Sequence, residues 1–178
     1  MSIASMLMDI IPNDGMIEPG IPGLKILRRS SPYSRLALVA SPSVCFIVQG
    51  RKNVYLGDEA ITYNEENYLI ISAQMPMEAE LITASVEEPY LSLSLKFDPG
   101  ILNKLLVDIE EFITWPEHPD TDKIITSCPA DDNVEQSVIR LLSVVNDPLR
   151  AKLLGKSLVR EVFLSILIGK MGYVLRNC

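Results

Sequence analysis

A chain of 178 residues that is 48% hydrophobic and 22% charged carries enough apolar side chain to fill one ordinary domain core, which excludes disorder as its resting state. Its formal net charge of -7 and the lack of any dense Lys/Arg run exclude this chain by itself from holding a phosphate backbone. Three widely spaced cysteines, Cys45, Cys128 and Cys178, exclude a disulfide framework or zinc knuckle, and no apolar stretch approaches the roughly 18 residues of a membrane span, nor is there a basic leader with a cleavage site, so a soluble cytoplasmic protein is expected.

Residues 1–23 read as an N-terminal arm, with turns marked by Pro19-Gly20 and Pro22-Gly23. Candidate strands follow at 24–29 and 36–39. The stretch 42–57, PSVCFIVQGRKNVYLG, is the most specific in the chain: residues 43–48 and 53–56 read as two strands of a β-hairpin turned by Gln49-Gly50-Arg51. Val44, Phe46 and Val48 alternate with Cys45 and Ile47, so the first strand is apolar on both faces and is expected to lie centrally, covered on both sides.

Short strands continue at 60–63 and 68–72. Residues 77–82 set Met77, Ala79 and Leu81 against Glu78 and Glu80, and residues 91–97 set Leu91, Leu93, Leu95 and Phe97 against Ser92, Ser94 and Lys96. Half-buried strands joined by short turns, with no helical crossover, predict a small antiparallel β-barrel over 24–97.

At Asp98 the apolar period changes to that of a helix, with Asp98 as N-cap, Pro99 at the first position and Leu102, Leu105, Leu106 and Ile109 as the stripe. Residues 98–178 are expected to be helical. Asp132 with Glu135 reads as a capping box before Val134, Val138, Leu141, Leu142 and Val145, and Asp147-Pro148 ends that helix and starts the next. The last helix, 149–167, is apolar nearly all round, so beyond an αα-hairpin with its predecessor it must meet the barrel or another subunit.

Catalytic motifs are missing. A single histidine, His118 in a turn-like loop, rules out a multi-histidine metal site within one chain, and no P-loop, GxGxxG, GxSxG or Cys-His spacing is present. Glu87-Glu88 and Glu110-Glu111 are neighbours whose side chains point apart, which suits a solvated face better than acid/base work. No metal or cofactor is expected. What remains is an apolar barrel with a few polar groups, Tyr55, Tyr63, Tyr68 and Ser72 among them, which is a common construction for a small-molecule pocket.

The segments PSVCFIVQGRKNVYLG at 42–57, NYLIIS at 67–72, MPM at 75–77, EPYLSLSL at 88–95, RLLSVVNDP at 140–148, LVREVFLSILIG at 158–169 and GYVLR at 172–176 resemble the N-terminal domain of AraC-type transcription regulators. The resemblance covers roughly residues 20 to 176. It implies an α+β domain, a cupin-like β-barrel followed by helices that dimerise, sensing an unidentified small-molecule effector and controlling a C-terminal helix-turn-helix domain, through which alone DNA would be bound. That domain is not in this sequence, which ends at Cys178 where a linker would begin.

On this reading the expected effector pocket is Ile47, Tyr68, Met77, Leu93 and Leu95, and the expected homodimer face is Leu154, Leu158, Val162 and Ile166. Two alternatives stand beside it. One is a metal-independent cupin enzyme of the sugar isomerase or epimerase type, and the other is a barrel whose filled core serves only protein association.

Overall fold

A computed structural model describes residues 1–115 and 123–178, so His118 lies outside the described residues. The elements in order are α1 (Ile3–Ile10), β1 (Gly15–Ile17), β2 (Leu24–Arg29), β3 (Tyr33–Ala40), β4 (Ser43–Gln49), β5 (Arg51–Leu56), β6 (Glu59–Tyr63), β7 (Asn67–Ile71), β8 (Met75–Thr83), β9 (Tyr90–Lys96), α2 (Pro99–Ile109), β10 (Ile125–Pro129), α3 (Asp132–Leu142), α4 (Pro148–Ile168) and α5 (Gly172–Arg176). One antiparallel sheet has the order β1-β2-β9-β4-β7-β10 and a second has β3-β8-β5-β6. The class is α+β, as the sequence predicts.

Two cores result. Ile47, Leu69, Ile71 and Tyr90 of the first sheet meet Val54, Tyr63, Ala79 and Leu81 of the second in a core between the sheets. The other face of the first sheet, carrying Val44, Ile70, Leu91, Leu93 and Leu95, packs on the helices through Leu105, Val138, Leu141, Val162, Phe163 and Ile166. The layers are therefore sheet, sheet, helices.

The central strand behaves as its two apolar faces require: β4 lies between β9 and β7, covered on one face by the second sheet and on the other by helices. The hairpin reading is corrected. β4 belongs to the first sheet and β5 to the second, so Gln49-Gly50-Arg51 carries the chain around a corner between sheets. Gly50 makes the corner possible: its φ is 95°, and a Cβ there would sit 2.7 Å from the Thr83 carbonyl oxygen. Beside it, Gln49 Nε2 donates to the Pro89 carbonyl at 2.7 Å.

The strand region also runs past its expected limits of 24–97. β1 pairs with β2 at one edge of the first sheet, and β10 pairs with β7 at the other, so the sheet draws strands from both the arm and the region expected to be helical. Five residues containing Ser127, Cys128 and Pro129 carry little strand signal alone; the free edge of β7 supplies it. The arm likewise contains α1, capped by Ser2 and anchored by the fully buried Leu7.

Helix starts follow short polar caps. Asp98 Oδ1 accepts from the amides of Gly100 and Ile101 at 2.9 and 3.1 Å, with Pro99 opening α2 as predicted. The cap of α3 is Asp131, one residue before the expected Asp132, accepting from Val134 N at 3.0 Å. Asp147 caps α4 through Arg150 N at 3.1 Å. Arg140 pairs with Glu161 between α3 and α4, and Arg160 with Asp108 between α4 and α2.

Candidate functional site

The period of two in the strands sends alternate side chains of the first sheet to opposite layers. Toward the helices, Val44, Tyr68, Ile70, Leu91, Leu93 and Leu95 are sealed, none more than 2% exposed. Toward the second sheet, Cys45, Ser92 and Ser94 remain half-buried, as do Tyr33, Lys52 and Met77 opposite them. The helix side is closed along β9 but opens where the half-buried Phe46 and Val48 face α1 and α3, and the inter-sheet side keeps accessible surface on small and polar residues.

This division separates the residues expected to form one pocket. Ile47 and Met77 belong to the inter-sheet core, whereas Tyr68, Leu93 and Leu95 face the helices. The leucine row of β9 was expected to line a cavity. It instead does what a fully apolar row does best, which is to bury itself against helical side chains, leaving the serine row inside.

The inter-sheet side carries a polar cluster that the sequence reading did not single out as a unit. Lys52 shares a face of β5 with Val54 and Leu56. In register it lies between Leu81 of β8 and Tyr63 of β6, and Leu81 in turn is opposite Tyr33 of β3. Tyr90 and Cys45 from the first sheet, and Tyr33 from its own, come within electrostatic reach of the Lys52 ammonium. Tyr63 lies within electrostatic reach of Tyr90, and Ser92 lies near the Tyr90 hydroxyl, so three phenols, a thiol, a hydroxyl and one cation come near one another between the sheets.

Protonation in the cluster follows from burial. Burial acts most strongly against the charge on Lys52, but Tyr90, Tyr33 and Cys45 outweigh it and hold the ammonium above the ordinary lysine range. Burial pushes the Tyr63 and Tyr90 phenols and the Cys45 thiol up, so all three are neutral at pH 7. Lys52 is then the one charge of the group. Among the described residues it has no ion-pair partner, whereas Lys25, Arg28, Arg35, Arg140 and Arg160 each meet a carboxylate.

A concavity of about 370 Å³ lies outside the inter-sheet layer, where the start of α1 (Ile3, Ala4) and α3 (Val134, Val138) meet Phe46 and Tyr68. The two rings lie 5.4 Å apart, and Glu65 and Glu135 rim the opening. Tyr68, from the expected pocket, borders this cleft, as does Ile47. Among the described residues no group of His, Cys, Asp and Glu is arranged to hold a metal ion, and no helix is long and apolar enough to cross a membrane.

The expected dimer residues do not share a face. Val162 and Ile166 are fully buried in the chain's own core, Leu158 is half-buried, and Leu154 is exposed. At about 100° per residue, a row in steps of four drifts by about 40° per step, or about 120° from Leu154 to Ile166. The apolar residues that α4 turns outward are instead Leu149, 65% exposed, Leu153, 68% exposed, and Ile168, with the half-buried Leu164 on the same side.

Residues 20–174 match the AraC-type transcriptional regulator N-terminus family. No curated protein sequence matches the chain. Among solved structures, an apo ToxT variant from Vibrio cholerae superposes with a TM-score of 0.60 at 8% identity, covering 82% of this chain and 54% of that one. Wild-type ToxT from the same species with an unsaturated fatty acid bound gives 0.51 at 8% identity, over 87% of this chain and 54% of that one. ToxT bound to (E)-4-(8-methylnaphthalen-1-yl)but-3-enoic acid gives 0.53 at 12% identity, over 86% and 57%. At these identities the likeness is one of fold, and the chain spans a little over half the length of these proteins.

Proposed function

Because the chain belongs to the AraC-type transcriptional regulator N-terminus family, we propose that it is the effector-sensing and dimerisation module of a transcription regulator, governing DNA contact made by another domain. The effector site is the space between the two sheets. The observation that carries this is the contrast between the faces of the first sheet: the same strands that seal Leu91, Leu93 and Leu95 against helices leave Cys45, Ser92 and Ser94 accessible inside. Small molecules bound to proteins of this fold, an unsaturated fatty acid and a naphthyl-substituted butenoic acid in ToxT, support a binding rather than a catalytic role.

Homodimerisation runs through the outer face of α4. Leu149, Leu153, Leu164 and Ile168 fall within about 100° of arc, opposite the face that α4 buries on its own domain, and such a stripe gains by docking on a copy of itself. Signalling then requires the effector to bind two arrangements of the sheets and helices with unequal affinity. The acidic balance of the chain is consistent with leaving DNA to a partner domain in the cytoplasm. No observation favours the sugar isomerase or epimerase alternative.

Native mass spectrometry of freshly purified protein tests both parts. A dimer mass with a discrete small-molecule adduct is the expected spectrum. A monomer at micromolar concentration would overturn the α4 reading.

A further inference from the structure

The helix layer that seals most of the first sheet stops short along β4. On the row of that strand facing the helices, Val44 is fully buried, but Phe46 and Val48 further along keep half-buried apolar surface. Tyr68 of β7 lies opposite Phe46 in register, the rings 5.4 Å apart and tilted by 36°, and both border the cleft of about 370 Å³ that Ile3 and Ala4 of α1 and Val134 and Val138 of α3 wall. Pockets for small molecules commonly span about 300–1,000 Å³, so the cleft is of that size. Ile3 and Ala4 are half-buried as well, so apolar surface from a strand and a helix stays wet around one hollow.

Charge at the opening has one sign. Glu65 and Glu135 stand at the rim with the polar Ser2 and Asn67, and no Lys, Arg or His lines the cleft. Helix starts commonly favour anions, and those of α1 and α3 both border it. Here their own side chains answer them: Ser2 Oγ accepts from Ser5 N at 3.2 Å, Asp131 Oδ1 accepts from Val134 N at 3.0 Å, and α3 carries Asp132 and Glu135 in its first turn. An incoming carboxylate would meet like charge, whereas an ammonium would meet two carboxylates and the Phe46 ring.

We propose that the cleft between α1, α3 and the first sheet binds a small amphipathic amine, its apolar body against Phe46, Val134 and Val138 and its ammonium at the rim with Glu65 and Glu135. This site lies on the opposite face of the first sheet from the inter-sheet space and does not depend on it. Its occupant touches the arm helix and α3 at once, and α3 packs on α4, where Arg140 pairs with Glu161. Binding therefore fastens the arm to the helices that close the domain, and is expected to raise the melting temperature.

The test titrates the whole chain at pH 7 with phenylbutylammonium, the uncharged phenylbutanol and phenylbutyrate, following binding by calorimetry. The 13C-methyl signal of Val138 reports the cleft, and that of Met77 the inter-sheet space. The ammonium is expected to shift Val138 and not Met77, and to bind about fivefold or more tighter than the alcohol, the combined worth of an exposed ion pair and a cation–π contact. Phenylbutyrate is expected to bind weakest. The double variant Glu65→Gln with Glu135→Gln, changed at two exposed positions, is expected to level ammonium and alcohol while both still move Val138. Phenylbutyrate binding as tightly as the ammonium, or the double variant keeping the preference, overturns the amine. No Val138 shift with any of the three, or a shift of Met77 alone, overturns the cleft as a site, the latter result favouring the inter-sheet space instead.

Discussion

The two faces of the six-stranded sheet are built from the same strands and do opposite things. On the helix side, Leu91, Leu93 and Leu95 meet α2, α3 and α4 in a sealed apolar layer that holds the domain together. On the inter-sheet side, Ser92 and Cys45 come near Lys52 and three tyrosines, with Ser94 on the same face of β9, in a layer that is polar, charged and partly accessible. Stability is invested on one face and, on the proposed reading, recognition on the other, one residue apart along the chain. A sensing domain gains from this arrangement, because the effector layer can change without opening the core.

The sharpest way to break the comparison is a charge on each side of α4. Val162→Glu places an unpaired carboxylate in the sealed layer and is expected to leave no folded chain, a loss of at least about 4 kcal/mol. Leu153→Glu, on the exposed stripe, is expected to keep the circular dichroism and melting of the folded domain while shifting sedimentation from dimer toward monomer. Two soluble, folded variants with the same mass in solution would refute the assignment of the two faces.

Within β9 the contrast is one residue wide. Leu93→Ala is expected to lower unfolding free energy by about 2–5 kcal/mol in urea, as a truncation in a closed core does. Ser94→Ala, facing the other way, is expected to change it by less than about 0.5 kcal/mol. Equal costs would mean that the inter-sheet layer is packed as tightly as the helix side.

A pH titration sharpens the helix side further. Burial pushes the Cys128 thiol up to about 12, against an ordinary value of 9.0, with the Tyr68 hydroxyl only partly opposing it. Between those values the folded chain holds a proton that the unfolded chain has released, so stability is full below pH 9 and falls as pH rises through the window. The loss is up to about 4 kcal/mol by pH 12. Cys128→Ala is expected to flatten this part of the stability curve; an unchanged alkaline slope would show that the thiol is not held in the closed layer.

Much of this was legible in local pattern. β2, β4, β7, β8 and β9 lie where alternation and β-branched runs put them, α2 starts on Asp98 and Pro99, and β4 is central because both its faces are apolar. The site was legible only in outline. Ile47 and Met77 do reach the inter-sheet layer, but Lys52 was read as part of a turn-and-return, and its isolation as a charge depends on residues 33, 45, 63 and 90, drawn from four other strands.

Sequence by itself determined which residues share a face of each strand and helix, because that follows from periods of 2 and 3.6 set by backbone geometry. Only the tertiary structure decided which face looks where: that the Gly50 turn passes between sheets, that the leucines of β9 meet helices and its serines the interior, and that Val162 and Ile166 stay inside while Leu149 and Leu153 point out. A period is local, but the direction in which a face points is settled by the apolar area that distant elements bring to it.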